Sequence, residues 1–430
     1  MRPDRAQERA IRHFQGPCMV LAGPGSGKTF TIVRRIANLI ENDHVRPEEI
    51  LVLAFNRAAS YEMSARFRRL MGGRKLPVTF GTFHGVYFGI LRQTYRMTAE
   101  NILTEEEKYA LLRQILHAPE LGYEQISTEE REEIGELIAE IGAVKNRDTD
   151  PEDYHSARYG ALFGKIFKMY EAQRKARRKI DFDDMLLLCR ELFQKRPDIL
   201  EYWQKRFRYI LIDEFQDVNR IQYEIIRMLA LPENHLFVVG DDDQSIYGFR
   251  GADPEIMLGF GKDYPDAKQI LLETNYRSGA NIVDGAARVI EHNSRRFSRS
   301  LHAGHTGRSG IHVQEVGTAK EEALYVMREI QAFVKAGISP DQIAVLYRTG
   351  NDAGILAETL TEYQIPFHTR ESIGNIYNHF IAGNLISDLR LAAGERSRRV
   401  FLDVMKVPKR YISRESLGER EISFEEIRRI

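Results

Sequence analysis

Cysteine is nearly missing: the 430 residues hold two, Cys18 and Cys189, far apart in the chain. They offer neither a disulfide framework nor a zinc-ligand spacing, and they suit a reducing cytoplasm. Cys18 lies in an apolar run and reads as a small core residue. Net charge is missing too, with 62 basic against 62 acidic residues. Whole-chain charge therefore says nothing about a nucleic-acid partner, and any such signal must be local. No apolar stretch approaches the about 18 residues that a bilayer span needs. The opening "MRPDRAQERA" is polar and helix-like, not a hydrophobic leader. No internal repeat is visible.

What is present is the balance of a globular protein, 43% hydrophobic and 29% charged. The length exceeds one core and predicts roughly two to four domains. Six short apolar runs end in polar or glycine-rich turns: "CMVLAG" (18–23), "ILVLAF" (50–55), "YILIDE" (209–214), "LFVVGD" (236–241), "IHVQEV" (311–316) and "IAVLYR" (343–348). They are β-branched or leucine-rich without alternation, as expected of strands covered on both faces of a parallel sheet. Amphipathic helical stretches separate them. The pattern is α/β, doubly wound, with ligands at the carboxyl ends of the strands.

From about 86 to 206 strand signals stop and helical spacing takes over, as in "GALFGKIFKMY" with Leu162, Phe163, Ile166, Phe167 and Tyr170. This predicts a helical insertion in the first sheet domain. "NSRRFSRSLHAGHTGRSG" (293–310) is basic and glycine-rich and predicts a loop between two sheet domains.

"AGPGSGKT" (22–29) follows a strand and precedes the helix-like "FTIVRRIANLI". In that context it is a P-loop. Gly23, Gly25, Ser26 and Gly27 bring backbone N–H groups to phosphate oxygens at a helix N-terminus. Lys28 reaches the β/γ-phosphates and Thr29 ligates Mg2+. "LIDEFQD" (211–217) delivers Asp213 and Glu214 to another strand end. Asp213 suits the metal, and Glu214 suits the proton of an attacking water. Together the two motifs predict an ATP-hydrolysing site. A third strand end carries "DDDQSIYGFRGA" (241–252), three carboxylates, then Gln244, Tyr247, Phe249 and Arg250.

"AGPGSGKT", "LIDEFQDVNRIQ", "VVGDDDQSIYGFRGA" and "LETNYRS", in this order, resemble the superfamily 1 DNA helicases of the UvrD/Rep/PcrA type. The resemblance runs from "AQERAI" to beyond "AVLYRTGNDAGILAETL". It implies two RecA-like sheet domains with helical insertions: a first domain over 1–85 and 207–273, its insertion over 86–206, an incomplete second domain over 274–370 and the start of its insertion over 371–430. It implies ATP and Mg2+, single-stranded DNA and single/double-strand junctions as partners, no membrane, and ATP-driven 3′-to-5′ movement and unwinding.

The resemblance also assigns roles. Gln7 reads adenine and Tyr276 stacks on it. Arg277 meets the γ-phosphate, Gln244 senses it, and Arg66 lies near the nucleotide. Phe55, Asn56, Arg57, Thr82, His84, Tyr247, Phe249 and Arg250 contact DNA. On bare fold pattern Tyr247 and Phe249 equally suit a core, and a lone histidine such as His84 equally suits structure. "RKARRK" (174–179) suits either duplex phosphates or a solvated helix face.

Departures stand beside the likeness. Phe249 replaces a tryptophan, Phe30 an arginine, and Gly248 a larger residue. The family's later motifs find no match after residue 350. "SFEEIRRI" (423–430), with Ser423 and Glu426 in a capping-box spacing, opens a helix that the chain does not continue. Both observations predict an amino-terminal portion of a longer helicase. Two alternatives stay open, an ATP- and DNA-binding module without turnover and the motor of a RecB- or AddA-like helicase–nuclease, while "DEFQD" with "DDDQSIYGFRGA" speaks against a non-helicase P-loop ATPase.

Overall fold

The computed structural model describes residues 2–123, 130–248, 251–307, 310–350, 352–369, 380–405 and 422. The chain forms two compact units, Met1–Ile311 and His312–Ile430.

The first unit is built on a six-stranded sheet in the order β3-β2-β4-β5-β1-β6. The strands are β1 (Cys18–Ala22), β2 (Ile50–Ala54), β3 (Thr79–Thr82), β4 (Tyr209–Ile212), β5 (His235–Gly240) and β6 (Lys268–Leu272). All five pairings are parallel, so every carboxyl end opens on the same edge. β1, β2, β4 and β5 are buried along their whole length. Successive side chains leave a strand on opposite faces, and each strand here feeds two cores. Met19, Leu21, Leu51, Leu53, Ile210, Ile212, Leu236 and Val238 enter one cluster. Val20, Ile50, Val52, Leu211, Phe237 and Val239 enter the other. That double coverage is why these runs lack alternation.

The helices of this unit are α1 (Arg5–Ile11), α2 (Lys28–Glu41), α3 (Arg57–Leu70), α4 (Phe83–Tyr95), α5 (Glu105–Leu116), α6 (Glu130–Arg147), α7 (Leu162–Ala176), α8 (Phe182–Lys195), α9 (Pro197–Arg206), α10 (Arg220–Ala230), α11 (Pro254–Leu258), α12 (Phe260–Asp263) and α13 (Ala280–Ile290). The insertion has its own core, where Leu111, Leu112 and Ile115 of α5 meet Ile134 and Leu137 of α6 and Phe163, Ile166 and Tyr170 of α7. Its flanks do not share that core. Tyr87 and Leu91 of α4, Met185 and Leu192 of α8 and Trp203 of α9 pack with the sheet instead. The apolar core thus draws the insertion more tightly than the 86–206 expected from spacing.

Four strands were not expected. β3 is polar and half-buried, and β6 begins with exposed Lys268 and Gln269; both are edge strands with one free side. The "LETNYRS" turn carries β7 (Thr274–Asn275), which pairs in parallel with β8 (His302–Ala303) inside the 293–310 loop. The expected second domain from 274 therefore contributes its first segments to the compact unit that ends at Ile311.

In the second unit, α14 (Ala319–Lys335) packs on α15 (Asp352–Glu362) through Met327, Ile330 and Leu360. Farther on lie α16 (Phe380–Ala392) and α17 (Arg398–Val404). The expected strands at 311–316 and 343–348 are not strands. Val313 and Leu346 are 94% and 93% exposed, and no strand is present beside them among the described residues of this unit. A strand exists only through its ladder, and hydrophobic sequence cannot supply the missing neighbour. The capping-box stretch 423–430 lies outside the described residues.

Candidate ATP and DNA site

β1 ends directly in the phosphate loop. Gly25 and Gly27 have φ of +69° and +86°, values that side-chain-bearing residues adopt only with strain. Gly25 is also closed in: an added Cβ would lie 2.6 Å from Asn275 Oδ1 and 2.8 Å from Arg277 Cβ. Buried Ser26 donates from its hydroxyl to the Gly23 carbonyl over 2.7 Å, which folds the loop back on itself.

Two segments converge on this loop. Gln7, 2% exposed on α1, donates to the Ser26 carbonyl over 2.9 Å, while its Oε1 accepts from the Asp4 amide. Each end of the amide makes one hydrogen bond, which leaves one N–H and one lone pair for a further partner. Tyr276 donates its hydroxyl to Asp4 over 2.6 Å, and its amide donates to the Gly25 carbonyl. Asn275 Oδ1 accepts from the amides of Arg277 and Ser278, turning the backbone so that Arg277 stands exposed beside the loop. The structure thereby brings Gln7, Tyr276 and Arg277 to the P-loop.

Lys28 Nζ lies 2.6 Å from Glu214 Oε2. Glu214 holds a left-handed backbone with φ +50°, uncommon for a side-chain-bearing residue and typical of a constrained functional turn. Gln216 donates to the same Glu214 oxygen over 2.9 Å and accepts from the Asp241 amide over 2.9 Å. Gln244 donates to the Asp241 carboxylate. One hydrogen-bonded chain, Lys28–Glu214–Gln216–Asp241–Gln244, therefore joins the phosphate loop to the third strand end.

Asp213 fits a divalent cation. Its Oδ1 is buried with no hydrogen-bond donor, an expensive state for a carboxylate without a counterion. Burial and the neighbouring Glu214 charge push its carboxyl up to about 6, against the pull of Lys28. Asp217 is pushed up to about 7 by burial and then by Glu214. Thr29, in the first turn of α2, is half-buried next to Lys28.

The three carboxylates of "DDD" are also closed, by a residue not foreseen. Arg299, its side chain 1% exposed, bonds Asp241 and Asp243 and lies 3.0 Å from Asp242 Oδ1. Arg296 forms a fork on Asp243 with bonds of 2.9 and 2.7 Å. Burial pushes Asp241 up even with this partner, while the acids hold Arg299 protonated against its own desolvation. A signal for this was present in the sequence: three adjacent acids at a buried strand end need cations, and "RRFSR" is a basic run in the loop that follows. The other acidic cluster, Glu171, Asp181 and Asp184, is closed by Lys145 at 2.7, 2.7 and 2.8 Å.

On the DNA side, Phe55 and Tyr247 meet with ring centroids 4.6 Å apart. They join the end of β2 to the end of β5. Asn56 caps α3, its Oδ1 accepting from the Ala59 amide, and Thr82 caps α4 in the same way. Arg57 is exposed beside them. His84 is half-buried against the ring of Phe182, and burial lowers its pKa. Phe249 and Arg250 lie outside the described residues.

Arg66 is paired with Glu62 on an exposed face of α3, not with the phosphate loop. "RKARRK" is for the most part the solvated face that is the alternative to a duplex grip, with Lys175, Arg177 and Arg178 exposed. Arg174 is buried between Glu171 and Asp184, and Lys179 pairs with Glu107. At Phe30 a guanidinium is present after all, because Arg34 stacks over its ring at 4.7 Å.

A parallel sheet with a P-loop after β1 and an Asp–Glu pair at the end of β4 defines a P-loop NTPase of the RecA-like kind. The UvrD/REP helicase N-terminal domain matches residues 4–265, and the UvrD-like helicase C-terminal domain matches residues 270–426. The chain belongs to the UvrD/REP helicase family. It is 35% identical to the ATP-dependent DNA helicase PcrA of Staphylococcus epidermidis over 418 residues, 96% of this chain and 56% of that protein. It is 34% identical to the PcrA of Staphylococcus aureus over the same shares. The chain thus spans about half the length of these curated relatives. No helix among the described residues is long and apolar enough to cross a membrane.

Proposed function

We propose that this chain is the ATP-driven motor portion of a DNA helicase, which couples ATP hydrolysis to 3′-to-5′ movement on single-stranded DNA and to unwinding at junctions. One observation carries the reading: the hydrogen-bonded chain from Lys28 to Gln244 runs from the phosphate loop to the turn whose Tyr247 meets Phe55.

The geometry suggests an order of events. Without nucleotide, Lys28 and Glu214 neutralise each other. A bound triphosphate draws Lys28 onto its β- and γ-oxygens and frees the Glu214 carboxylate. Glu214 then accepts the proton of a water that attacks the γ-phosphorus, as the bond from that phosphorus to the bridging oxygen breaks. Gln216 stays on Glu214 and orients it. Arg277 supplies positive charge where the transition state gathers negative charge. Thr29 and Asp213 would hold Mg2+, which when bound neutralises phosphate charge. Any shift of Glu214 is felt at Asp241 and Gln244 through Gln216, and so at the ring of Tyr247. Stacking on Phe55 and Tyr247 is worth about 1–3 kcal/mol per base and ignores sequence, which suits a motor on any strand.

The polarity has its own test. The chain should displace streptavidin from a 5′-biotinylated oligonucleotide in an ATP-dependent way and leave a 3′-biotinylated one capped. The opposite preference would refute the proposed direction, and ATP-independent displacement from both would refute the motor.

A further inference from the structure

The sheet edge beside the DNA residues carries a groove of its own. β3 is the edge strand, and α3 and α4 wall it. The cleft along it, about 720 Å³, is lined by Arg57, Thr82, Arg92 and Arg206, with Thr79 and Gly81 of the edge strand on its floor. A second hollow shares Tyr61 and Ser64 with the first and adds Arg68 and Arg69. No aspartate or glutamate lines either hollow among the described residues. This imbalance is local, because the chain as a whole is neutral. Arg57, Arg68, Arg69, Arg92 and Arg206 take part in no ion pair among the described residues, although most buried acids elsewhere have found a cation. The nearest acid on α3, Glu62, is taken by Arg66. Tyr61 stands in the middle of this surface, 79% exposed, where a ring has no packing reason to be.

We propose that this groove carries the single strand onward from Phe55, Arg57 and Thr82, with Tyr61 as a stacking platform and the arginines on successive phosphates. The inference rests on the DNA-motor reading and extends its contact surface. A positively charged track with interleaved exposed aromatics is the surface that binds single strands without reading sequence. Continuity favours nucleic acid over an acidic protein segment pairing with the β3 edge, because Arg57, two residues after Phe55, and Thr82, paired with Ala54 just before it, both line the groove.

The test uses fluorescently labelled oligothymidylates of about 6 and about 16 nucleotides, the span of single-strand site sizes, titrated by anisotropy at several salt concentrations. The proteins are the unaltered chain, Tyr61→Ala, and the double variant Arg69→Glu with Arg92→Glu. The groove predicts that the unaltered chain binds the long strand more tightly. Tyr61→Ala should lose about tenfold on the long strand only. The charge reversal should lower the salt slope by roughly 0.7 for each phosphate that is no longer neutralised. Binding of an ATP analogue should be unchanged in both variants, which checks the fold. Variants that bind the long strand as the unaltered chain does would overturn the groove and leave the motor reading standing. Polyglutamate that binds the unaltered chain, fails to bind the double variant and never competes with the long strand would overturn it in favour of an acidic partner. An unaltered chain that binds neither oligonucleotide would overturn the motor reading as well.

Discussion

Two buried knots of charge sit in the first unit, and they are built for different ends. In the insertion, Lys145 and Arg174 are packed among Glu171, Asp181 and Asp184, with the Tyr170 hydroxyl donating to Asp181. Every group there comes from α6, α7 or the start of α8, and none lies on the phosphate loop. Beside the ATP site, Arg299 and Arg296 hold Asp241, Asp242 and Asp243, and Asp241 in turn holds Gln244 and meets Gln216. The first knot ends in itself and fixes three helices. The second is one end of a chain that reaches Lys28. Similar chemistry therefore serves stability in one place and communication in the other, and the difference lies in what the outermost residue touches.

The comparison breaks most visibly at the catalytic end. Glu214→Gln keeps the hydrogen bonds of the turn but cannot take a proton, so ATP turnover should fall about 10²–10⁴-fold with nucleotide binding retained. A turnover assay beside nucleotide titration checks this. In the insertion, Lys145→Ala leaves buried Asp181 and Asp184 and half-buried Glu171 around one remaining cation. It should destabilise the fold by about 3–5 kcal/mol, read as a shift in the urea midpoint, with turnover per folded molecule unchanged. A larger effect on turnover than on stability would erase the distinction.

The insertion knot should also show in pH. Burial and the Asp181 charge push the Asp184 carboxyl up, against Lys145 and Arg174, while, against burial, Lys145 holds the neighbouring Asp181 down. Asp184 therefore keeps a proton in the folded chain that the unfolded chain releases near pH 4. Its own contribution to stability is full below about pH 4 and is lost as pH rises through its raised folded-state value. Asp184→Asn should flatten that part of the stability profile, and an unchanged slope would show that Asp184 does not titrate there. The smallest expected effect is the most telling for the second knot. Arg299→Lys keeps the charge but loses the guanidinium fork. Basal ATP hydrolysis should stay within about twofold, while its stimulation by single-stranded DNA falls about tenfold, on the order of 1.4 kcal/mol of coupling.

Much of the site was legible because its signals are local. The P-loop, the Asp–Glu pair and the acid-rich turn each lie within a dozen residues, and β1, β2, β4 and β5 are runs buried on both faces. What escaped depends on distance. Arg299 is 58 residues from Asp241 in the chain, so the acids call for cations and "RRFSR" offers them without either segment saying that the two meet. β3, "TFGT", was too short and polar to stand out, and β6 opens with two exposed residues; as edges they need no second apolar face. The runs at 311–316 and 343–348 erred the other way, because their composition is that of strands while their neighbours are not beside them. Asn56 and Thr82 show that a residue picked for a ligand can be engaged in capping a helix.

The central claim is that the phosphate loop and the DNA-facing turn act as one device. The most direct measurement is steady-state ATP hydrolysis by this chain with and without single-stranded DNA, beside Lys28→Ala. The account predicts hydrolysis that DNA stimulates and that Lys28→Ala abolishes. Hydrolysis that is abolished by Lys28→Ala yet indifferent to DNA would contradict the coupling, and hydrolysis that survives Lys28→Ala would contradict the site itself.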